Sequence, residues 1–117
     1  MHVYPNYQID MVRGDSLSFG LEFEGLGQDL DSADFTVKKD ESDVIILIHK
    51  ELTDGITKSD ENKYVVRLAP EDTANLDPGY YHFDMQIGVN GDIFTIMLGI
   101  LVLVQGVTEE VTEEVQP

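Results

Sequence analysis

Large apolar and polar side chains alternate with period two in several short runs of this chain, a pattern that calls for extended strands. Leu17, Phe19, Leu21 and Phe23 are separated by Ser18, Gly20 and Glu22. That spacing puts four large apolar groups on one face of an extended strand. Tyr81, Phe83, Met85 and Ile87 repeat the pattern against His82, Asp84 and Gln86. Tyr64, Val66 and Leu68 form a third run, Phe35 and Val37 a shorter fourth, and Ile9 with Met11 suggests a first strand before Gly14. No segment carries a sustained helical stripe. Val44 to Ile48 and Ile93 to Val104 are continuous apolar runs rich in β-branched residues. They read as strands buried on both faces, or touching something.

Turn chemistry separates the runs at short intervals. Gly25–Gly27, Asp54–Gly55, Asp77–Pro78–Gly79 and Asn90–Gly91 are the strongest breaks. Asn90–Gly91 predicts a hairpin, because a type I′ turn needs positive φ at both central residues. Pro70 to Leu76 predicts one helical turn, with Pro70 at its start and acids following. Short strands with turns every 8–12 residues predict an all-β, antiparallel, immunoglobulin-like β-sandwich of about seven strands, with a small barrel as the alternative.

The 117 residues amount to one domain. The division expected is a sandwich over residues 1–106 and an acidic C-terminal extension over 107–117, where VTEE occurs twice in succession. With 23 acidic against 7 basic residues the chain carries −16. Such a surface repels phosphate, so neither nucleic acid nor anionic membrane is expected as a partner. No cysteine is present, which removes disulfides, thiolate metal sites and cysteine nucleophiles. The N-terminal residues lack a basic segment followed by an apolar one, so no secretory signal is expected. The apolar run from Ile93 is too short for a bilayer span of about 20 residues.

Pro78-Gly79-Tyr80-Tyr81 stands just before one of the strongest strand patterns. In immunoglobulin-like sandwiches a tyrosine at this point turns its hydroxyl back to the upstream backbone and fixes a corner. Pro78, Gly79 and Tyr81 are therefore the candidate structural corner, with Phe83 in the core position beyond it. The plainer alternative is a Pro-Gly turn with Tyr81 merely buried. Other segments share this order and spacing: Arg13-Gly14-Asp15-Ser16 before the first long strand, Asp29-Leu30-Asp31-Ser32-Ala33 before Phe35-Thr36-Val37, Leu68 to Leu76, Asp84-Met85-Gln86, and Phe94-Thr95 through Gly99 to Leu101 and Leu103. Together they resemble the immunoglobulin-like N-terminal domain of tailed-phage baseplate upper proteins and related small phage and prophage proteins, over residues 9–108. The resemblance implies a non-enzymatic structural protein of a virion, made in the bacterial host cytoplasm. It would dock to tail, neck, baseplate or capsid partners as a homo-oligomer in the assembled particle.

The chemistry-bearing residues point the same way. Arg13-Gly14-Asp15 matches a cell-attachment tripeptide, but a strand-entry turn accounts for the same three residues. Asp29, Asp31 and Asp34, then Asp40, Glu41 and Asp43, then Asp60 and Glu61 are acidic groups without the spacing of a calcium loop. His2, His49 and His82 form no i, i+4 pair. No metal and no cofactor is expected. No G-x-S-x-G elbow, phosphate loop or dinucleotide glycine pattern is present, so no catalytic residue and no enzyme is expected. A free-standing adhesion or carbohydrate-binding module is the alternative function. Without tryptophan, only Tyr80 and Tyr4 could serve it as sugar platforms.

The expected interface lies in the last apolar run. Alternation sends Phe94, Ile96 and Leu98 inward, and a bulge at Gly99 would then turn Leu101 and Leu103 inward. Met97, Ile100 and Val102 would face outward as an apolar stripe that docks a partner, unless a neighbouring loop or the N-terminal strand covers it.

Overall fold

The computed structural model describes residues 6–108. Its elements, in chain order, are β1 (Asn6–Val12), β2 (Leu17–Glu22), β3 (Ser32–Lys38), β4 (Ile48–Leu52), β5 (Gly55–Asp60), β6 (Lys63–Leu68), a single helical turn α1 (Pro70–Thr73), β7 (Gly79–Val89) and β8 (Asp92–Val104). The protein is all-β. The strands form one mixed sheet in the order β1-β8-β7-β3-β4-β5-β6-β2. It curls nearly into a barrel, so that the inner faces of its two ends meet around one core.

Two features depart from a wholly antiparallel set of seven strands. β1 runs parallel to β8 along seven residue pairs, Asn6↔Leu98 to Val12↔Val104. β4 meets β5 in parallel through only Glu51↔Gly55 and Leu52↔Ile56. The eighth strand was hidden because β5 has one apolar side chain, Ile56, and therefore no alternation to read.

The alternating runs supply the core. Phe35, Val37, Tyr64, Val66, Leu68, Tyr81, Phe83, Met85 and Ile87 are all buried. The Phe35 ring lies 5.4 Å from that of Phe83 and 5.6 Å, edge-on, from that of Phe19, which ties β2 to β3 and β7. The Tyr64 hydroxyl accepts the Leu30 N–H at 2.9 Å, so its polar tip is satisfied inside the core. At the β7–β8 hairpin, Asn90 and Gly91 take φ of 54° and 85°, the left-handed pair that this turn demands.

The Val44–Ile48 run is not a buried strand. Val37 pairs with Ile48, which is buried, and Leu47 packs only partly against the core. Residues 39–47 are therefore left as the β3–β4 connection, closed by Asp43 N–H to Asp40 O and Leu47 N–H to Val37 O. Val44, Ile45 and Ile46 stand 92%, 67% and 52% exposed. β-branched composition makes a strand only where the register supplies a partner, and here it supplies none.

The register of β8 also departs from expectation. Met85 pairs with Met97 but Gln86 with Thr95, so the extra residue is Ile96 and not Gly99. The parity flips before Met97, which turns Met97 inward against the core and Leu98 outward opposite Asp84. Leu101 and Leu103 are inward and buried, while Phe94 remains 45% exposed. Gly99 has a different cause. A Cβ there would collide with the Tyr7 carbonyl of β1 and lie 2.9 Å from the Phe83 ring. Glycine lets the β1 backbone close onto β8.

Candidate functional site

The outer face of the sheet is built from two rows of side chains that the registers align across four strands. One row is Lys38, His82, Ile100 and Gln8; the next is Thr36, Asp84, Leu98 and Asn6. Each of these residues sits one position from an inward neighbour, so alternation aims it outward. The rows floor an open groove of about 460 Å³, with Glu41 of the β3–β4 connection on one side and the start of β1 on the other. Leu98 and Ile100 give it an aliphatic strip between polar borders. β1 lies beside β8 and not over it, so the strip stays open to solvent, with Ile100 37% exposed.

Asp84 is the electrostatically unusual member. Partial burial pushes its carboxyl above the ordinary carboxylate range; nearby Lys38 opposes that shift and Asp34 reinforces it. Nothing in the groove pairs a serine or cysteine with a base. What the arrangement offers is an amphipathic surface, apolar along β8 and polar on both sides.

Of the three interface residues expected from sequence, Ile100 and Val102 share this outer face and Met97 does not. Val102 is half-buried beside the exposed ring of Tyr80. Tyr4 and His2 lie outside the described residues, as does most of the VTEE repeat.

At the corner, the Tyr81 hydroxyl donates to the Asp77 carbonyl at 2.6 Å across the Pro78-Gly79 turn, where Gly79 has φ of 145°. Burial raises the Tyr81 pKa, Asp77 adds to the shift and Arg13 opposes it. The Lys39 ammonium sits 4.4 Å from the centre of the Tyr81 ring and donates to the Tyr80 carbonyl at 2.8 Å. Arg13-Gly14-Asp15 forms the β1–β2 turn. Gly14, with φ of 86°, donates its N–H at 2.8 Å to the buried Thr73 hydroxyl that α1 presents.

The acidic groups read from sequence are not brought together as such. Asp29 pairs with Lys58 at 2.7 Å and holds its pKa up. Asp40 and Asp43 cap N–H groups of their own loop, and Asp60 accepts the Glu61 N–H. Asp34 goes elsewhere. On the outer face of β3 and β4 it joins His49 and Glu51, with Asp34 Oδ1 2.8 Å from His49 Nε2 and Glu51 Oε2 3.6 Å from His49 Nδ1. The three donors lie within 4.8 Å of one another, which makes them the one group of converging His and carboxylate side chains among the described residues. The i, i+2 spacing of His49 and Glu51 is the one sequence signal for this group, and it lies beyond the Val44–Ile48 run expected as the strand. Asp34, fifteen residues earlier, becomes their neighbour only through the β3–β4 register. No protein-family model and no curated protein matches this chain.

Proposed function

We propose that this chain is an immunoglobulin-like, non-enzymatic structural protein of a tailed-phage virion, which docks a neighbouring virion protein on the outer face of β8. The observation that carries the reading is the aliphatic strip Leu98, Ile100 and Val102 on the outer face of β8, with Ile100 exposed and its two neighbours half-buried, flanked by polar side chains of β7 and β1. A lone domain gains nothing from presenting such a strip to water, and exposed apolar surface of this kind marks interaction sites. The immunoglobulin-like architecture is supported by the strand order. Only two residue pairs join β1-β8-β7-β3-β4 to β5-β6-β2, so the sheet divides naturally into two facing layers. The Tyr81-to-Asp77 bond adds the corner that such sandwiches carry.

The test is incorporation. Wild-type protein should band with particles purified from bacteria that carry its gene, in many copies per particle. Ile100→Lys with Val102→Lys should abolish incorporation while leaving the circular-dichroism melt of the isolated chain intact. Absence of the wild-type chain from the particles overturns the reading, and so does normal incorporation of the double variant. Reproducible binding of one sugar class on a glycan array would favour the carbohydrate module instead.

A further inference from the structure

We infer that Asp34, His49 and Glu51 form a binding site for one divalent transition-metal ion, zinc above all, on the outer face of β3 and β4. The inference is independent of the docking role, because the site lies on different strands from the Ile100 strip. Each donor comes from a strand position fixed by the register. Asp34 directly opposes Glu51, and His49 lies two residues from Glu51 on the same face. The set is one imidazole and two carboxylates, a donor mix suited to zinc and its neighbours and poorly suited to calcium or magnesium, which prefer oxygen alone.

The geometry needs little adjustment. The donor atoms now lie within 4.8 Å of one another. Tetrahedral zinc with bonds of about 2.0–2.1 Å holds its ligand atoms about 3.3 Å apart. Half-exposed side chains on fixed backbones can close that difference by rotation. His49 has one ring nitrogen against each carboxylate, so either nitrogen can take the metal in place of the carboxylate contact it now makes, with both carboxylates turned onto the ion.

The electrostatics favour a cation. Like charges directly opposite one another across a sheet repel. Among the described residues, no lysine or arginine makes an ion pair with Asp34 or Glu51. Lys50, between His49 and Glu51 in sequence, alternates away and pairs with Asp72 at 2.8 Å. The fourth metal position would face solvent and hold water.

The experiment is calorimetric titration of the full, tag-free chain with zinc chloride, together with NMR of the imidazole resonances. One ion per chain should bind, with the His49 signals shifting most. His49→Ala should weaken binding at least tenfold, and Asp34→Asn and Glu51→Gln should each weaken it measurably. His82→Ala and His2→Ala should leave it unchanged. Metal-free melts of all variants check that the fold is kept. Zinc binding unaltered by His49→Ala overturns the inference, as does no zinc binding up to millimolar concentration. Equal binding of magnesium would reduce the site to general attraction by an acidic surface and would also overturn it. None of these outcomes bears on particle incorporation, so the two readings fail separately.

Discussion

Tyr81 and Asp84 belong to the same alternating strand and show how far one side chain's environment decides its energetics. The Tyr81 hydroxyl is the partner of the Asp77 carbonyl. Tyr81→Phe leaves that carbonyl unpaired and should cost about 1–1.5 kcal/mol, read as a lower urea midpoint with an unchanged slope. A variant as stable as wild type would show that water replaces the bond without loss. For Asp84 the sign runs the other way. Its folded pKa lies above the ordinary 3.8, so the folded state holds the proton more tightly than the unfolded chain does. Stability contributed by this group therefore falls as pH rises from 3.8 through the raised value, and stays lowered above it. Asp84→Asn should melt higher than wild type at pH 7, and the advantage should vanish at pH values below 3.8, where both states carry the proton. A series of melts across pH checks it; a variant that melts lower at pH 7 would mean that the Lys38 attraction outweighs burial.

Among the elements, β1 depends on one residue of its neighbour. The β1–β8 pairing brings the Tyr7 carbonyl onto Gly99, where any side chain would strike it. Gly99→Ala should cost about 1–3 kcal/mol, the usual range for overpacking. The loss should fall on β1, whose amides would exchange with deuterium faster while those of β3 and β7 keep their protection relative to the whole. Gly20→Ala is the matched control. A Cβ there would meet only the Tyr64 carbonyl, at an ordinary 3.8 Å, and the change should be neutral or slightly stabilising. Equal effects at both positions would show that strand propensity, and not the close approach, governs Gly99.

At the scale of the whole molecule, net charge governs how copies meet. Copies carrying −16 repel one another at neutral pH, which opposes any assembly through the Ile100 strip. Salt screens that repulsion, since the Debye length falls from about 10 Å at 0.1 M to about 3 Å at 1 M. The apolar contact itself is not weakened by salt. Self-association measured by sedimentation should therefore strengthen between those concentrations. Weakening would place ion pairs, and not the aliphatic strip, at the contact.

Whatever local geometry controls could be read from the order of the residues. Alternation put Phe35, Val37, Tyr64, Val66, Phe83 and Met85 in the core, because successive side chains of a strand point to opposite faces whatever the strand pairs with. Asn90–Gly91 marked a hairpin and Pro78-Gly79 a turn before Tyr81, because their backbone preferences are intrinsic. Register was decided only in three dimensions. A bulge can sit at any residue of an apolar run, so the sequence could not choose Ile96 over Gly99, and Met97 was turned to the wrong face as a result. Continuous apolar composition carries no register either, which is why Val44 to Ile46 looked like a strand and stand in solvent. The parallel seating of β1 against β8, and with it the open groove beside Ile100, depends on contacts about ninety residues apart. The meeting of Asp34 with His49 and Glu51 has the same origin: pairing energies across the sheet, and not the properties of any one segment, chose which side chains became neighbours.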